Sequence, residues 1–208
     1  MFENNWLMKH GTKIVPVSSE KFSVPTLQSL FPQVVEQDFV AAGRVFALPL
    51  SIDTLALAYN RDLFDQGEVV FAPTTWAELT DQVDDLRVVD DKGTLTRAAF
   101  ALGGSSKSVP NNASILRAML IQNNVSLLDK NANRAVFSNR SGRTVFEDYL
   151  DFVNPNKDQY SWDDSFRNAN ESFARKEVAG IFVFAKELKN IVDRNAFLDG
   201  YMSLITKF

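Results

Sequence analysis

Short apolar runs alternate with amphipathic segments along this chain, and that alternation constrains the fold more than any other feature. Residues 55–59 and 178–184 are apolar runs of strand length. Between them a capping box, Thr75 to Glu78, opens an amphipathic helix with Trp76, Leu79, Val83 and Leu86 on one face. Further strands are predicted at residues 45–50, 99–102 and 201–205, and further helices begin near Asn112, near Ser141 and before Leu188. The pattern predicts an α/β layer fold, and we expect a largely parallel sheet.

The composition excludes several kinds of chemistry. The 208 residues include 22 Lys+Arg, 26 Asp+Glu, one His and no Cys, with a net charge of −4. Without Cys there is no disulfide, thiolate nucleophile or Cys-based metal site, and His10 alone cannot build a multi-histidine site. The net charge gives no long-range attraction to nucleic acid. We therefore expect a binding protein rather than an enzyme, with no cofactor and no metal.

The segment from Val45 to Phe64 is the most informative stretch. An apolar run, a Pro, a short polar stretch with Asp53 and a second apolar run ending in Tyr59-Asn60 follow one another. A carboxylate within such apolar surroundings is costly unless it is paired or solvated. We therefore expect Asp53 to face a cleft, and residues 51–54 are the best candidate for a domain boundary.

This segment resembles the crossover of the extracellular solute-binding protein family 1, the maltose-binding-protein-like components of ABC importers. Four further pieces resemble the family in the same order along the chain. They are residues 73–79 (PTTWAEL), 100–104 (FALGG), 121–124 (IQNN), and a late stretch made of 160–162 (YSW) and 173–182 (FARKEVAGIF).

The resemblance implies a periplasmic-binding-protein-like fold of two α/β lobes that close on a ligand. It places residues 1–52 at the end of an incomplete first lobe, 53–200 in a largely complete second lobe and 201–208 in a strand crossing back. The chain is therefore expected to be a fragment of a longer protein. Its implied function is non-enzymatic binding of a solute, with carbohydrate the expected class, for ABC-type import.

The resemblance also implies partners and a location. The partners are a small polar ligand and a membrane permease, with no nucleic acid, and the protein is expected to be a monomer. The location is extracytoplasmic, either periplasmic or as a lipoprotein on the outer face, although this sequence shows no signal pattern and no lipid-anchor Cys.

Candidate ligand-binding residues follow from the same match. Asp53 corresponds to a crossover acid that accepts hydrogen bonds from sugar hydroxyls, and Trp162 to a late aromatic that can stack on a sugar. The remaining candidates are Ser105 and Ser106 on the second-lobe wall and, near the first-lobe wall, Asn4, Asn5 and Trp6.

The sequence departs from the family at two positions. Lys186 stands where a sugar-stacking Trp is common, so an anionic or phosphorylated ligand becomes an alternative to a neutral sugar. Lys176 replaces the Gly of the family's Phe-x-x-Gly pattern.

Two other function classes stay open from the sequence. One is a carboxylate-based hydrolase that uses a pair such as Asp163 and Asp164, because glycosidase chemistry needs two facing carboxylates. The other is an α/β interaction module without a small ligand.

Overall fold

The structure is a computed structural model that describes residues 7, 10–129, 134–195, 198 and 200–203. The chain divides into two compact units, Met1–Ile52 and Asp53–Phe208.

The described residues of the first unit include two short helices and a hairpin. A 3₁₀ turn at Gly11–Lys13 precedes α1 (Val24–Leu30), α2 (Gln33–Phe39), β1 (Val40–Ala41) and β2 (Arg44–Val45). Ser23 caps α1 by accepting a hydrogen bond from the Thr26 amide (3.2 Å). The hairpin turns through Ala42 and Gly43, which both have positive φ, as a two-residue turn of the primed type requires.

The strand predicted at residues 45–50 is wrong beyond Val45. Only Arg44 and Val45 pair, with the antiparallel β1, and the residues that follow form no strand. Leu50 is 86% exposed. The run is apolar, but no described strand lies beside residues 46–50 to complete a ladder, and Pro49 has no N–H to donate.

The second unit carries a five-stranded sheet with helices around it. Its elements are β3 (Leu55–Asn60), α3 (Arg61–Gln66), α4 (Trp76–Asp81), α5 (Val83–Leu86), β4 (Val88–Val89), β5 (Leu95–Phe100), α6 (Asn112–Gln122), α7 (Arg140–Asp151), α8 (Ala169–Ala174), β6 (Val178–Phe184), α9 (Ala185–Val192) and β7 (Gly200–Ser203). The strand order is β4-β5-β6-β3-β7.

The expectation of a largely parallel sheet is wrong. Among the described strands only β5 and β6 pair in parallel, joined by the long connection that holds α6, α7 and α8. β3 is antiparallel to both β6 and β7, and β4 is antiparallel to β5. A continuous apolar run shows that a strand is covered on both faces, as Val178–Val183 are in β6, but it does not fix the strand's direction.

The amphipathic helix behind Thr75 forms as predicted, with one break. Thr75 accepts a hydrogen bond from the Glu78 amide (3.1 Å), while the Glu78 carboxylate reaches back to the amide of Thr74 (2.7 Å). The helix divides at Gln82 into α4 and α5. The four predicted inward side chains, Trp76, Leu79, Val83 and Leu86, are all buried in the core of this unit.

Candidate ligand-binding site

Asp53 lies just before β3, an interior strand of the sheet in the second unit. The β3–β6 register places Leu55 opposite Phe184, and the Ala185 amide donates to the Thr54 carbonyl (3.1 Å). This pairing brings the residues just before β3 next to the first turn of α9. Asp53 consequently meets Lys186, which is 133 residues away in sequence.

The Asp53 carboxylate is held at one oxygen only. Its Oδ1 accepts hydrogen bonds from the amides of Thr54 (3.0 Å) and Lys186 (3.4 Å). Its Oδ2 is buried, lies 3.6 Å from the Lys186 ammonium, and accepts no hydrogen bond from any residue that the structure describes. Oδ2 thus lacks the donor that a buried carboxylate oxygen requires, and a ligand would reach it only after neighbouring side chains move.

Lys186 supplies an exposed cation beside this oxygen. Its side chain is 75% exposed, whereas that of Asp53 is 19% exposed, and its ammonium lies 5.8 Å from the centroid of the Phe184 ring. The structure thus brings together Asp53 and Lys186, two residues that the resemblance selected for separate reasons.

Two neighbouring residues that sequence reasoning missed brace this site. The Glu187 carboxylate accepts hydrogen bonds from the Phe184 amide (3.2 Å) and from Asn111 Nδ2 (3.0 Å). Asn111 also donates to the Phe182 carbonyl (3.2 Å), so it ties the start of α6 to the end of β6. The sequence contains a signal for each of these two residues. Asn111 directly precedes a predicted helix, and Glu187 stands at the third position of α9, where an acid caps a helix N-terminus.

Ser105 and Ser106 are exposed in the loop between β5 and α6. The preceding Gly104 lets this loop pass close to the core, because a Cβ there would lie 2.5 Å from Ser108 Oγ and 2.9 Å from a ring carbon of Trp162. Ser105 also lines a groove of about 650 Å³ beside α6 and α7. The loop therefore presents two hydroxyls on the surface of the second unit.

Trp162 does not occupy the position that a stacking residue needs. It has no exposed surface, its ring stacks on Phe166 with centroids 5.1 Å apart, and its Nε1 donates to Ser108 Oγ (3.3 Å). A ring without an exposed face offers nothing to a sugar. The structure thus replaces the expected stacking role of Trp162 with a role in the core. Asn4, Asn5 and Trp6 lie outside the described residues and stay a prediction.

The two carboxylates of the hydrolase alternative already accept hydrogen bonds from protein groups. Asp163 accepts hydrogen bonds from the Ser165 amide (2.6 Å) and the Tyr160 hydroxyl (3.0 Å), and Asp164 accepts one from Ser108 Oγ (2.5 Å). The Ser165 hydrogen bond lowers the pKa of Asp163, whereas burial and the hydrogen bond to Asp163 raise the pKa of Tyr160 to about 12. A general acid needs a raised carboxyl pKa, so Asp163 is poorly suited to that role.

The described part of the chain contains neither a metal-binding cluster nor a membrane-spanning helix. No group of three or more His, Cys, Asp or Glu residues there is arranged to hold a metal ion. None of the helices formed by these residues combines the length and apolar character needed to cross a membrane.

Comparison with known proteins identifies the family. The family model for bacterial extracellular solute-binding proteins matches residues 5–204, so the chain belongs to that family. No curated protein matches the chain.

Solved structures show the same fold at low sequence identity. A solute-binding protein from Thermotoga lettingae, bound with α-D-tagatose, is 18% identical (TM-score 0.72; 99% of this chain, 52% of that one). The cyclic α-maltosyl-1,6-maltose binding protein of Arthrobacter globiformis is 13% identical (TM-score 0.73; 98% and 50%). UgpB from Mycobacterium tuberculosis, in complex with glycerophosphocholine, is 14% identical (TM-score 0.68; 95% and 47%).

These comparisons confirm the expected periplasmic-binding-protein-like α/β fold. The chain spans about half the length of the solved structures it matches. Which part of the chain belongs to which lobe stays a prediction.

Proposed function

We propose that this chain is part of the solute-binding component of an ABC-type importer and that its ligand is a carbohydrate. The family consists of solute-binding proteins, and several similar structures were solved with carbohydrates, among them α-D-tagatose and mannobiose. In the whole protein, two lobes would close on the ligand outside the cytoplasm and present it to a membrane permease. Residues 1–52 would belong to the first lobe, 53–200 to the second and 201–208 to a strand crossing back.

The observation that carries the proposal is the Asp53 carboxylate at the start of β3, whose Oδ2 accepts no hydrogen bond from any described residue. Carbohydrates offer many hydroxyl donors, and a carboxylate oxygen is a strong acceptor for them. The oxygen lies beside the exposed Lys186 side chain, whose ammonium can donate to a second ligand oxygen. Ser105 and Ser106 would add hydroxyls from the loop before α6, and the two Asn residues and Trp6 near the N-terminus would add contacts from the other lobe.

The hydrolase alternative has no such support. Its carboxylates already accept hydrogen bonds from protein groups, and the family to which the chain belongs is one of binding proteins. If the protein were instead an α/β interaction module without a small ligand, no carbohydrate would bind in the screen.

The test is a binding screen by ¹H–¹⁵N NMR of the labelled chain. The probes are maltose, mannobiose, D-tagatose and glycerophosphocholine at millimolar concentration, so that weak binding is detected. We expect at least one carbohydrate to shift the amide signals of Thr54 and Lys186 saturably.

Two variants locate the response. Asp53→Asn should abolish it, because the amide replaces one acceptor oxygen by a donor. Asp193→Asn is the matched control, since Asp193 pairs with Lys189 on the surface of α9, and it should bind as the wild type does. The proposal fails if no carbohydrate causes saturable shifts, or if both variants respond like the wild type.

A further inference from the structure

Acidic residues are concentrated in one stretch of the second unit. Residues 61–91 contain nine Asp or Glu and two Arg, which gives this stretch a net charge of −7. The other residues of the chain contain 17 Asp or Glu and 20 Lys or Arg, a net charge of +3. The small net charge of the whole chain therefore conceals a strongly negative region, which runs from α3 through α4 and α5 to the turn after β4.

The same stretch exposes two large apolar side chains. Val70 is 73% exposed and Phe71 is 79% exposed, the highest values among the large apolar side chains described in the second unit. Both residues lie in the loop between α3 and α4. Aromatic side chains are enriched where proteins bind one another, because a large ring removes much apolar surface from water when a partner covers it. Adjacent exposed apolar side chains of this size indicate a binding surface.

Two contacts join this loop to the acidic helices. Gln82, at the junction of α4 and α5, donates from Nε2 to the Phe71 carbonyl (3.2 Å). Gly67, which follows α3, packs so closely against α5 that a Cβ there would lie 2.5 Å from the Asp85 carbonyl oxygen. Residues 67–71 and 81–85 therefore lie side by side. We call their exposed part the Phe71 surface, which consists of Glu68, Val70, Phe71, Asp81 and Asp85.

The carboxylates of the Phe71 surface have no compensating cation. Glu68, Asp81 and Asp85 form no ion pair with any residue that the structure describes. Both arginines of the acidic stretch pair with carboxylates three or four positions away along the chain. The nearby Arg97 donates to neutral oxygens of two neighbouring residues (2.9 and 3.1 Å). The surface thus offers three carboxylates beside an apolar pair.

We propose that the Phe71 surface binds a protein segment that carries basic residues beside an apolar or aromatic side chain. Lys or Arg of the segment would pair with the carboxylates, while its apolar side chain would cover Val70 and Phe71. Nucleic acid and anionic lipid surfaces carry the same sign of charge as this surface, which opposes their binding. The proposal goes beyond the proposed carbohydrate-binding function and is independent of it, since the Phe71 surface shares no residue with the candidate ligand-binding site.

The test is a selection of binding peptides from a random library displayed on phage, with the full chain as the target. The most enriched peptide is then synthesised and titrated into the ¹⁵N-labelled chain. We expect the enriched peptides to combine Lys or Arg with an apolar or aromatic residue. The synthetic peptide should shift the amide signals of residues 68–71 and 81–85 saturably.

One pair of variants tests the apolar part of the surface. Phe71→Ala should weaken binding of the synthetic peptide by about tenfold, the loss expected when an aromatic residue at the centre of an interface is truncated. Its side chain is 79% exposed, so the variant should fold as the wild type does. Leu150→Ala is the matched control, because Leu150 is an exposed apolar residue on α7, and it should leave binding unchanged.

A second pair tests the charges. Asp81→Asn combined with Asp85→Asn should weaken binding by about two- to fivefold, and the difference should shrink at high salt. Glu147→Gln combined with Asp158→Asn removes two exposed charges elsewhere in the second unit and should have no effect.

Four results would overturn the proposal. The first is a selection that enriches no peptide or enriches peptides without basic residues, and the second is a peptide that shifts only signals outside the Phe71 surface. The third is unchanged affinity in Phe71→Ala. The fourth is an equal loss of affinity in both double variants, which would show a general attraction between opposite charges.

Discussion

Lys176 occupies a backbone conformation that normally favours glycine, and replacing it gives a quantitative prediction. Its φ is +61°, and it follows α8 as the residue after the C-cap. The Lys176 amide donates to the Phe173 carbonyl (3.0 Å) and the Glu177 amide to the Ser172 carbonyl (2.9 Å), which is the Schellman pattern. The family's Phe-x-x-Gly pattern has glycine here, and the geometry supplies the reason.

Two opposing terms set the size of the effect. A non-glycine residue in the left-handed region costs about 1–2 kcal/mol. Lys176 partly offsets this through an ion pair with Asp62 (2.6 Å), which, being partly exposed, contributes about 0.2–1 kcal/mol. Lys176→Ala loses the ion pair and keeps the strain, whereas Lys176→Gly loses the ion pair and relieves the strain. We therefore expect Lys176→Gly to be more stable than Lys176→Ala by about 1–2 kcal/mol.

The assay is urea unfolding of both variants, with Asp62→Asn introduced into each and into the wild type. Asp62→Asn should lower the free energy of unfolding of the wild type more than that of the two Lys176 variants, by at most about 1 kcal/mol, because the favourable position of Asp62 in the first turn of α3 is common to all three. Equal stability of the Gly and Ala variants would refute the assignment of strain to this position.

Two further predictions concern buried or constrained polar groups. Ser161 Oγ accepts a hydrogen bond from the Phe100 amide (2.6 Å) and donates one to the Phe100 carbonyl (2.9 Å). Ser161→Ala should therefore lower the free energy of unfolding by about 1–3 kcal/mol. A loss no larger than that caused by Ser126→Ala, at an exposed serine, would contradict this. The hydrogen bond from the Ser165 amide is the main cause that lowers the pKa of Asp163 in the folded state. The ionised carboxylate therefore stabilises the fold above the unfolded pKa of about 3.9. This stabilisation is lost as the pH falls through the lower folded pKa. Asp163→Asn should therefore flatten the acid limb of the free energy of unfolding measured against pH, and an unchanged limb would show that the hydrogen bond does not favour the ionised form.

Much of the local structure followed from the sequence because it depends on local chemistry. Helix α6 begins at Asn112 as predicted, and β6 spans Val178–Phe184 as predicted. A turn also forms at residues 90–93, where the sequence Asp-Asp-Lys-Gly is typical of turns and Gly93 has positive φ. Periodicity, capping residues and glycine each act within a few positions of chain, so a sequence reveals them directly.

What the sequence could not reveal depends on contacts between distant segments. The antiparallel placement of β3 between β6 and β7 is set by chain topology rather than by composition. The sequence does not indicate whether the Trp162 side chain faces a cleft or the core. In the structure it is buried and stacks on Phe166, so it belongs to the core. The pairing of Asp53 with Lys186 likewise exists only because β3 and β6 lie side by side.

The contact between Asp53 and Lys186 adds to what the resemblance implied about each residue. Asp53 and Lys186 were selected separately from the resemblance, and the structure shows that they form an ion pair. A lysine whose charge is compensated by a fixed carboxylate acts as a hydrogen-bond donor more than as an attractor of anions.

The most direct test of the central claim is a crystal structure of the chain with the carbohydrate that binds best in the NMR screen. We predict that a ligand hydroxyl oxygen lies within hydrogen-bond distance of Asp53 Oδ2, about 2.5–3.0 Å, in the bound structure. A carbohydrate bound elsewhere, with Asp53 Oδ2 still without a donor, would contradict the account.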